Sequence, residues 1–351
     1  MATNAEIISK MGAVLDTSED TNATNCTLDH SMHTLLFPAV YIAVFAIGLP
    51  SNLFVLYYGF TQIKAKNVVG VYLCNLTLSD VLYILSLPFW TQYLLQDDNW
   101  TYNELLCKIC GCLLYENIYI TTAFLCCIAI DRYLAVVHPL HFYHLRTIKA
   151  AVIISILVWL KELVVVIVLS MHNEIINDKN NSKICFERYP LASWQYNINM
   201  YRVFVGFLLP LVLLTFSYSK ILYTIKKSTG AQQNQKEKIS RLVFCTVFIF
   251  VFFFSPYHIV LLIRSILEKD CPFAEKIFKY YHLLLLVTSL NCVADPFLYC
   301  FASESTRNDL VRLKNSFLKL FACQKKKTLD SSQTNRQGVN TSETASMEVL
   351  G

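Results

Sequence analysis

Charge is what this sequence has too little of. Only 16% of its 351 residues are Asp, Glu, Lys or Arg, where a soluble protein of this size carries nearer about 25%. With 55% hydrophobic residues and a mean hydropathy of +0.43, the chain reads as a polytopic membrane protein. Other absences narrow the class. The 13 cysteines are too scattered for a disulfide-rich secreted module, and no Cys/His set has zinc-site spacing. No Ser/His or His/Glu set has catalytic spacing, so no enzyme is expected. There is no internal repeat and no pair of Gly- or Pro-broken segments, which argues against a transporter or proton channel. Residues 1–29 lack the apolar core of a signal peptide, so the first span is expected to be its own signal. Nothing points to nucleic acid.

Seven apolar segments are present, near 35–59, 68–93, 106–133, 149–170, 199–225, 239–267 and 277–302. Each is long enough to span a bilayer and to close its own backbone hydrogen bonds, as lipid demands. The expected fold is all-α: a seven-transmembrane helix bundle over 34–303 behind a polar tail at 1–33. Residues 304–323 hold an amphipathic eighth helix lying on membrane lipid, with Leu310, Leu313 and Phe317 set against Arg307, Arg312 and Lys314. Cys323 behind it is a palmitoylation candidate. The tail 324–351, rich in Ser and Thr, is expected to be disordered.

Basic residues set the orientation. With the N-terminus outside, 19 of the 30 Lys and Arg fall in the cytoplasm. The glycosylation acceptors Asn22, Asn25, Asn99 and Asn180 then face outward, in a plasma-membrane protein. Four cysteines meet an oxidising compartment. A Cys107–Cys185 bridge would staple the second outer loop over the bundle mouth, and a Cys26–Cys271 bridge would tie down the tail; free thiols are the alternative.

Signposts recur in every span: Asn52, Leu78-Ser79-Asp80, Asp131-Arg132-Tyr133, Trp159, Pro210 with Tyr218, Phe254-Ser255-Pro256, and Asp295-Pro296-Phe297-Leu298-Tyr299. They resemble the rhodopsin-like G-protein-coupled receptors. Runs such as LLYENIYI, CFERYP and SLNCVADPFLYCF are similar to the proton-sensing subfamily. That resemblance implies a receptor for extracellular acid. Its partners would be a heterotrimeric G protein, of Gq type and also Gs, and receptor kinases and arrestin at the Ser/Thr tail. In the resting state Asp131 would hold Arg132; on release, Tyr218 and Tyr299 would swing toward it. Pro210, Pro256 and Pro296 offer bending points. One departure stands out: the subfamily carries a histidine just before Asp98-Asn99-Trp100, and this chain has Asp97.

Histidine is the side chain that titrates near physiological pH. His138, His141 and His144 fall in an inner loop. His30, His33, His172, His258 and His282 fall on the outer side. Asp80, Glu162 and Asp295 lie inside spans, where an ionisable group is usually functional; clustered carboxyls would titrate as a coupled set. Asp80, Thr121, Asn291 and Asp295, with Asn52, would also suit a sodium ion. No other cofactor is expected. Moving a two-state equilibrium from 1:99 to 99:1 takes about 5.5 kcal/mol. One group binding its proton tenfold more tightly in the active state supplies about 1.4 kcal/mol. Roughly four groups must therefore act together, and the active state must be the one that holds protons more tightly. Span three carries none of these acceptors and is expected to serve as an axle. A second receptor reading, for a lysophospholipid or small acidic metabolite, rests on Arg202, Arg264 and Lys269 near the outer mouth.

Overall fold

The computed structural model describes Cys26, Leu28 and residues 30–32, 34–171, 175–177, 183–186, 188–227 and 233–302, with backbone alone for 175–177, 234, 235, 238 and 297–302. Seven helices are long and apolar enough to cross a membrane. Four are continuous: α1 (Leu36–Lys64), α2 (Val68–Leu95), α3 (Glu104–Val137) and α4 (Ile148–Ser170). α5 runs as Ser193–Val203, a π-helical turn at Phe204–Leu208, then Leu209–Lys227. α6 repeats that design with Gln233–Ile249, a π turn at Phe250–Phe254 and Ser255–Leu267. α7 is Cys271–Ser289 and, beyond Leu290, Asn291–Ala302. A hairpin of β1 (Ile175–Asn177) and β2 (Lys183–Cys185) pairs Ile175 with Cys185. The expected eighth helix at 304–323, with Cys323, lies outside the described residues.

The helices outrun the apolar segments because polar residues cap them. Asn67 accepts from Val69 N, Asn103 from Leu106 N, Thr147 from Ala150 N and Asp270 from Phe273 N. Each satisfies one amide that the first turn leaves orphaned. Hydropathy sees the membrane-facing stretch and misses these turns, which is why α7 begins at Cys271 rather than near 277.

α4 shows how the bundle is solvated. Its buried residues are Ala151, Ser155, Glu162 and Leu169, a narrow stripe at helical spacing. The rest of its surface is apolar and exposed, including Ile153, Ile156, Leu160, Leu163 and Ile167, as suits a helix in hydrocarbon. The two π turns each stop just before a proline, Pro210 and Pro256. Proline has no N–H and its ring crowds the carbonyl four residues back; a wider turn just ahead gives room for both.

Both disulfide bonds are present, Cys107–Cys185 and Cys26–Cys271. The first holds Phe186 in a left-handed conformation, φ 62°, stacked on Tyr115 with centroids 5.7 Å apart. It sits so close to α3 that a Cβ on Gly111 would stand 2.1 Å from the Phe186 ring. The second brings Cys26 and Leu28 onto a small core of Tyr189, Ala274 and Phe278. Cys271→Ser should lower thermal stability by about 2–5 kcal/mol while non-reducing peptide mapping still finds Cys107 joined to Cys185. An unchanged unfolding temperature would show that the tail is held by other contacts.

Candidate functional site

The titratable residues fall at three depths. At the disulfide-bonded end, His30 rests on the Phe278 ring, centroids 4.9 Å apart, and its Nδ1 makes a tight ion pair with Asp98. His282, one helical turn beyond Phe278, packs on the same ring at 4.4 Å and shares a 2.8 Å hydrogen bond with Tyr189. Two histidines therefore flank one phenylalanine, and the Cys26–Cys271 bond makes this possible. Asp98 is buried with φ 56°, a backbone region that Asp tolerates better than most residues. The acid next to the departure at Asp97 thus pairs with a histidine of the tail, a non-local pairing that no local pattern announces. Close by, Arg264 lies over the Tyr189 and Tyr281 rings at 4.2 and 4.4 Å and is held by Glu268 at 2.7 Å. His33, His172, Asn22, Asn25 and Asn180 lie outside the described residues. Asn99 Oδ1 accepts from Lys183 N at 3.1 Å.

At mid-depth two carboxyl pairs are buried. Asp80 and Asp295 are 0% and 2% exposed and stand near enough for each charge to act on the other. Asn117 donates to Asp80 at 2.9 Å, Cys292 Sγ at 3.4 Å, and Asn291 donates to Asp295 at 3.3 Å. Among the described residues no basic side chain pairs with either acid. Two bare carboxylates buried near each other repel with little water to screen them, which a proton or a cation relieves. Asp80 Oδ2, Asp295 Oδ1, Thr121 Oγ1 and Asn52 Oδ1 are buried without a partner. Those oxygens suit a hard monovalent cation as well as a proton.

The second pair corrects an expectation. α3 carries an intramembrane acid, Glu116, which is 4% exposed. Arg202 of α5 donates to it at 3.5 Å, Glu162 of α4 stands near enough for its charge to act on it, and Glu116 Oε2 has no donor. Lys161 forms an ion pair with Glu162. Three helices thus meet in one charged cluster, and α3 contributes an acid to it. Glu116 was visible in the sequence: an acid inside an apolar span is signal enough. His258 lies deeper than the outer rim, 1% exposed. It stacks on Phe207 at 4.5 Å and its Nδ1 meets the Phe254 carbonyl at 2.8 Å.

At the opposite end Asp131 is held from two sides. Arg132 Nε donates to Oδ2 at 3.0 Å and Arg146 Nε to Oδ1 at 3.0 Å. Arg146 comes from the loop between α3 and α4, beyond the three-residue motif. Tyr133 bonds His138 at 3.0 Å, and Tyr218 is buried on α5. The side chain of Tyr299 lies outside the described residues.

The His30–Asp98 contact is an ion pair only while His30 carries a proton. Its stabilisation is therefore full in acid and is lost as pH rises through the histidine range. Asp98→Asn should lower the unfolding temperature in acid, by up to about 1 kcal/mol for a pair this exposed, with the gap to the parent protein closing in alkali. A gap equal at every pH would mean that His30 does not titrate there. Arg146→Ala should loosen the grip on Asp131 and raise ligand-independent G-protein activation.

Residues 51–299 match the family described as 7 transmembrane receptor (rhodopsin family). The chain is 53% identical over 304 residues to G-protein coupled receptor 68 of Homo sapiens, covering 87% of this chain and 83% of the relative. It is 37% identical over 340 residues to human G-protein coupled receptor 65, covering 94% and 99%. With lysophosphatidic acid receptor 6 of Mus musculus it shares 33% over 307 residues, covering 84% and 88%. These relatives are receptors rather than enzymes, and seven spans of this kind make a multi-pass protein of the plasma membrane. On the fold, the motifs and these matches, the chain belongs to the rhodopsin family of G-protein-coupled receptors.

Proposed function

We propose that this receptor is switched on by extracellular protons, with its N-terminus outside, and that it signals through a Gq-type G protein and also through Gs. The observation that carries this reading is the Asp80–Asp295 pair: two fully buried carboxyls, near each other, with no basic partner among the described residues. Such a pair holds a proton or a cation, because two bare charges in that setting repel with little water to screen them. Asp80, Asp295, Thr121 and Asn291, with Asn52, would hold a sodium ion in the resting receptor, supplying the charge that a proton otherwise brings. The sequence resemblance to proton-sensing receptors and the kinship with G-protein coupled receptor 68 support the same reading.

The residues divide the work by depth. Protons on His30 and His282 change the charge balance where the tail meets α7, and His33 and His172, on the outer side by sequence, are further acceptors. Deeper, a proton on Glu116 removes the attraction that ties Arg202 of α5 to α3, and a proton on Glu162 removes its attraction to Lys161. His258, stacked on Phe207 within the α5 π turn, transmits the resulting repacking to α6. Below, Asp131 gives up Arg132, Tyr218 and Tyr299 move toward it, and a cleft opens for the G protein. The Ser/Thr-rich tail at 324–351 serves receptor kinases and arrestin.

In cells lacking endogenous acid receptors, calcium or inositol phosphate output should rise as the medium goes from about pH 8 to about pH 6. A flat response from receptor shown to be at the surface would falsify the reading. His30→Ala and His282→Ala each remove a proton site, so each should move the midpoint to lower pH by tenths of a unit. Glu116→Gln and Glu162→Gln imitate the protonated acid and should move it to higher pH. A single one of these variants that abolished the response at normal surface expression would overturn the distributed sensor.

A further inference from the structure

The cavity at the disulfide-bonded end is lined by Arg188, Arg202, Arg264 and His282 and, among the described residues, by no aspartate or glutamate. Its empty space is about 510 Å³, open mouth included. The acids that balance these cations, Glu116 and Glu268, stand outside its walls. Among the described residues, the charged groups of the wall are basic. Arg264 is well engaged, with Glu268 at 2.7 Å and the Arg188 carbonyl at 3.1 Å. Arg202 is not. It is 5% exposed, yet its one hydrogen bond is the 3.5 Å contact with Glu116, and its Nε is buried without an acceptor. A guanidinium has five donors, and a buried donor left unmatched calls for a missing partner.

The geometry points to a binding site for a small organic carboxylate with a flat apolar body, anchored on Arg202. Arg202 is already oriented: its guanidinium lies 4.7 Å over Tyr115 and 5.4 Å over Tyr119. A carboxylate matches the planar fork of arginine better than a point anion such as chloride does. Phe186, Trp194 and Tyr281 supply aromatic walls for the body.

Binding should tighten in acid, and this half of the inference rests on the proton reading above. His282 in the wall gains charge, and a proton on Glu116 removes the acceptor that competes for Arg202. The other charged groups facing this region are Arg188, Arg264 with Glu268, and, behind Glu116, Glu162 with Lys161. The arginines and Lys161 keep their charge across the range concerned; Glu268 stays paired to Arg264. Linkage is reciprocal, so a bound carboxylate should make the receptor respond at higher pH.

The test uses purified full-length receptor in lipid nanodiscs, with benzoate as probe and uncharged benzamide as control. Benzoate should raise the unfolding temperature, more at about pH 6 than at about pH 7.5, and benzamide should not. Arg202→Gln should weaken benzoate binding by about tenfold or more, and Arg202→Lys should restore part of it. In cells, benzoate should shift the signalling midpoint to higher pH; this arm needs no variant and stands even if Arg202→Gln misfolds. No benzoate effect at either pH, an equal effect of benzamide, or an effect of lysophosphatidate alone overturns the site. If benzoate binds but acid evokes no signal, the proton reading fails and the site stands. If acid signals and benzoate changes nothing, the site fails and the proton reading stands.

Discussion

A charge in a slab of hydrocarbon must find its partner inside the protein. That constraint explains the arrangement of this molecule more directly than any packing rule. Lipid gives α4 no reason to turn an apolar face inward, so four residues mark its seam, and Glu162 is there because the seam is where Glu116 and Arg202 are. Among the described residues Asp80 has no counter-charge and is met instead by Asn117 and Cys292, with its fellow acid Asp295 near by. Asp131 at the far end is met twice, by Arg132 and Arg146. Each cluster joins elements distant in sequence, so each charge that changes alters a contact between helices.

α3 is where these clusters are strung together. Along one side it meets α5 through a ladder of close approaches. Arg202 reaches Glu116; a Cβ on Gly206 would fall 2.5 Å from Tyr119; Thr122 donates to the Gly206 carbonyl at 3.3 Å and Cys126 Sγ to the Pro210 carbonyl at 3.7 Å. The upper rung is ionic and the lower three are steric or polar. The π turn of α5 spans Gly206, so the segment beside the ladder has the wider winding. A change at Glu116 therefore acts on the part of α5 least committed to a single helical register.

Much of this could be read in the sequence, for identifiable reasons. Apolar length located the spans, because a bilayer has a fixed thickness. Loop position identified all four bridged cysteines. Asp80, Asp131, Glu162 and Asp295 stood out as acids in apolar surroundings, and the three-residue motif at 131–133 named half of the lock. What escaped was pairing across the chain. Asp98 reads as an ordinary loop acid until the tail is folded over it. Arg146 reads as a topological charge until it reaches Asp131. Lys161 makes Glu162 one half of an ion pair rather than a lone acid, and Glu116, legible as an intramembrane acid, was overshadowed by its neighbours in the LLYENIYI run. The start of α7 was misplaced because a polar cap, Asp270, and not hydropathy sets it.

The bond between Cys26 and Cys271 has a consequence for how the protein is made. Its two cysteines are 245 residues apart in sequence, against 78 for Cys107 and Cys185. At a synthesis rate of about 5–20 residues per second, the tail waits roughly 12–50 s after Cys26 is made before its partner exists. During that interval Cys107 and Cys185 both become available to it. Order of emergence thus favours wrong pairings for the tail, and Leu28 docking beside Tyr189 and Phe278, themselves late to arrive, gives the correct partner its advantage only at the end.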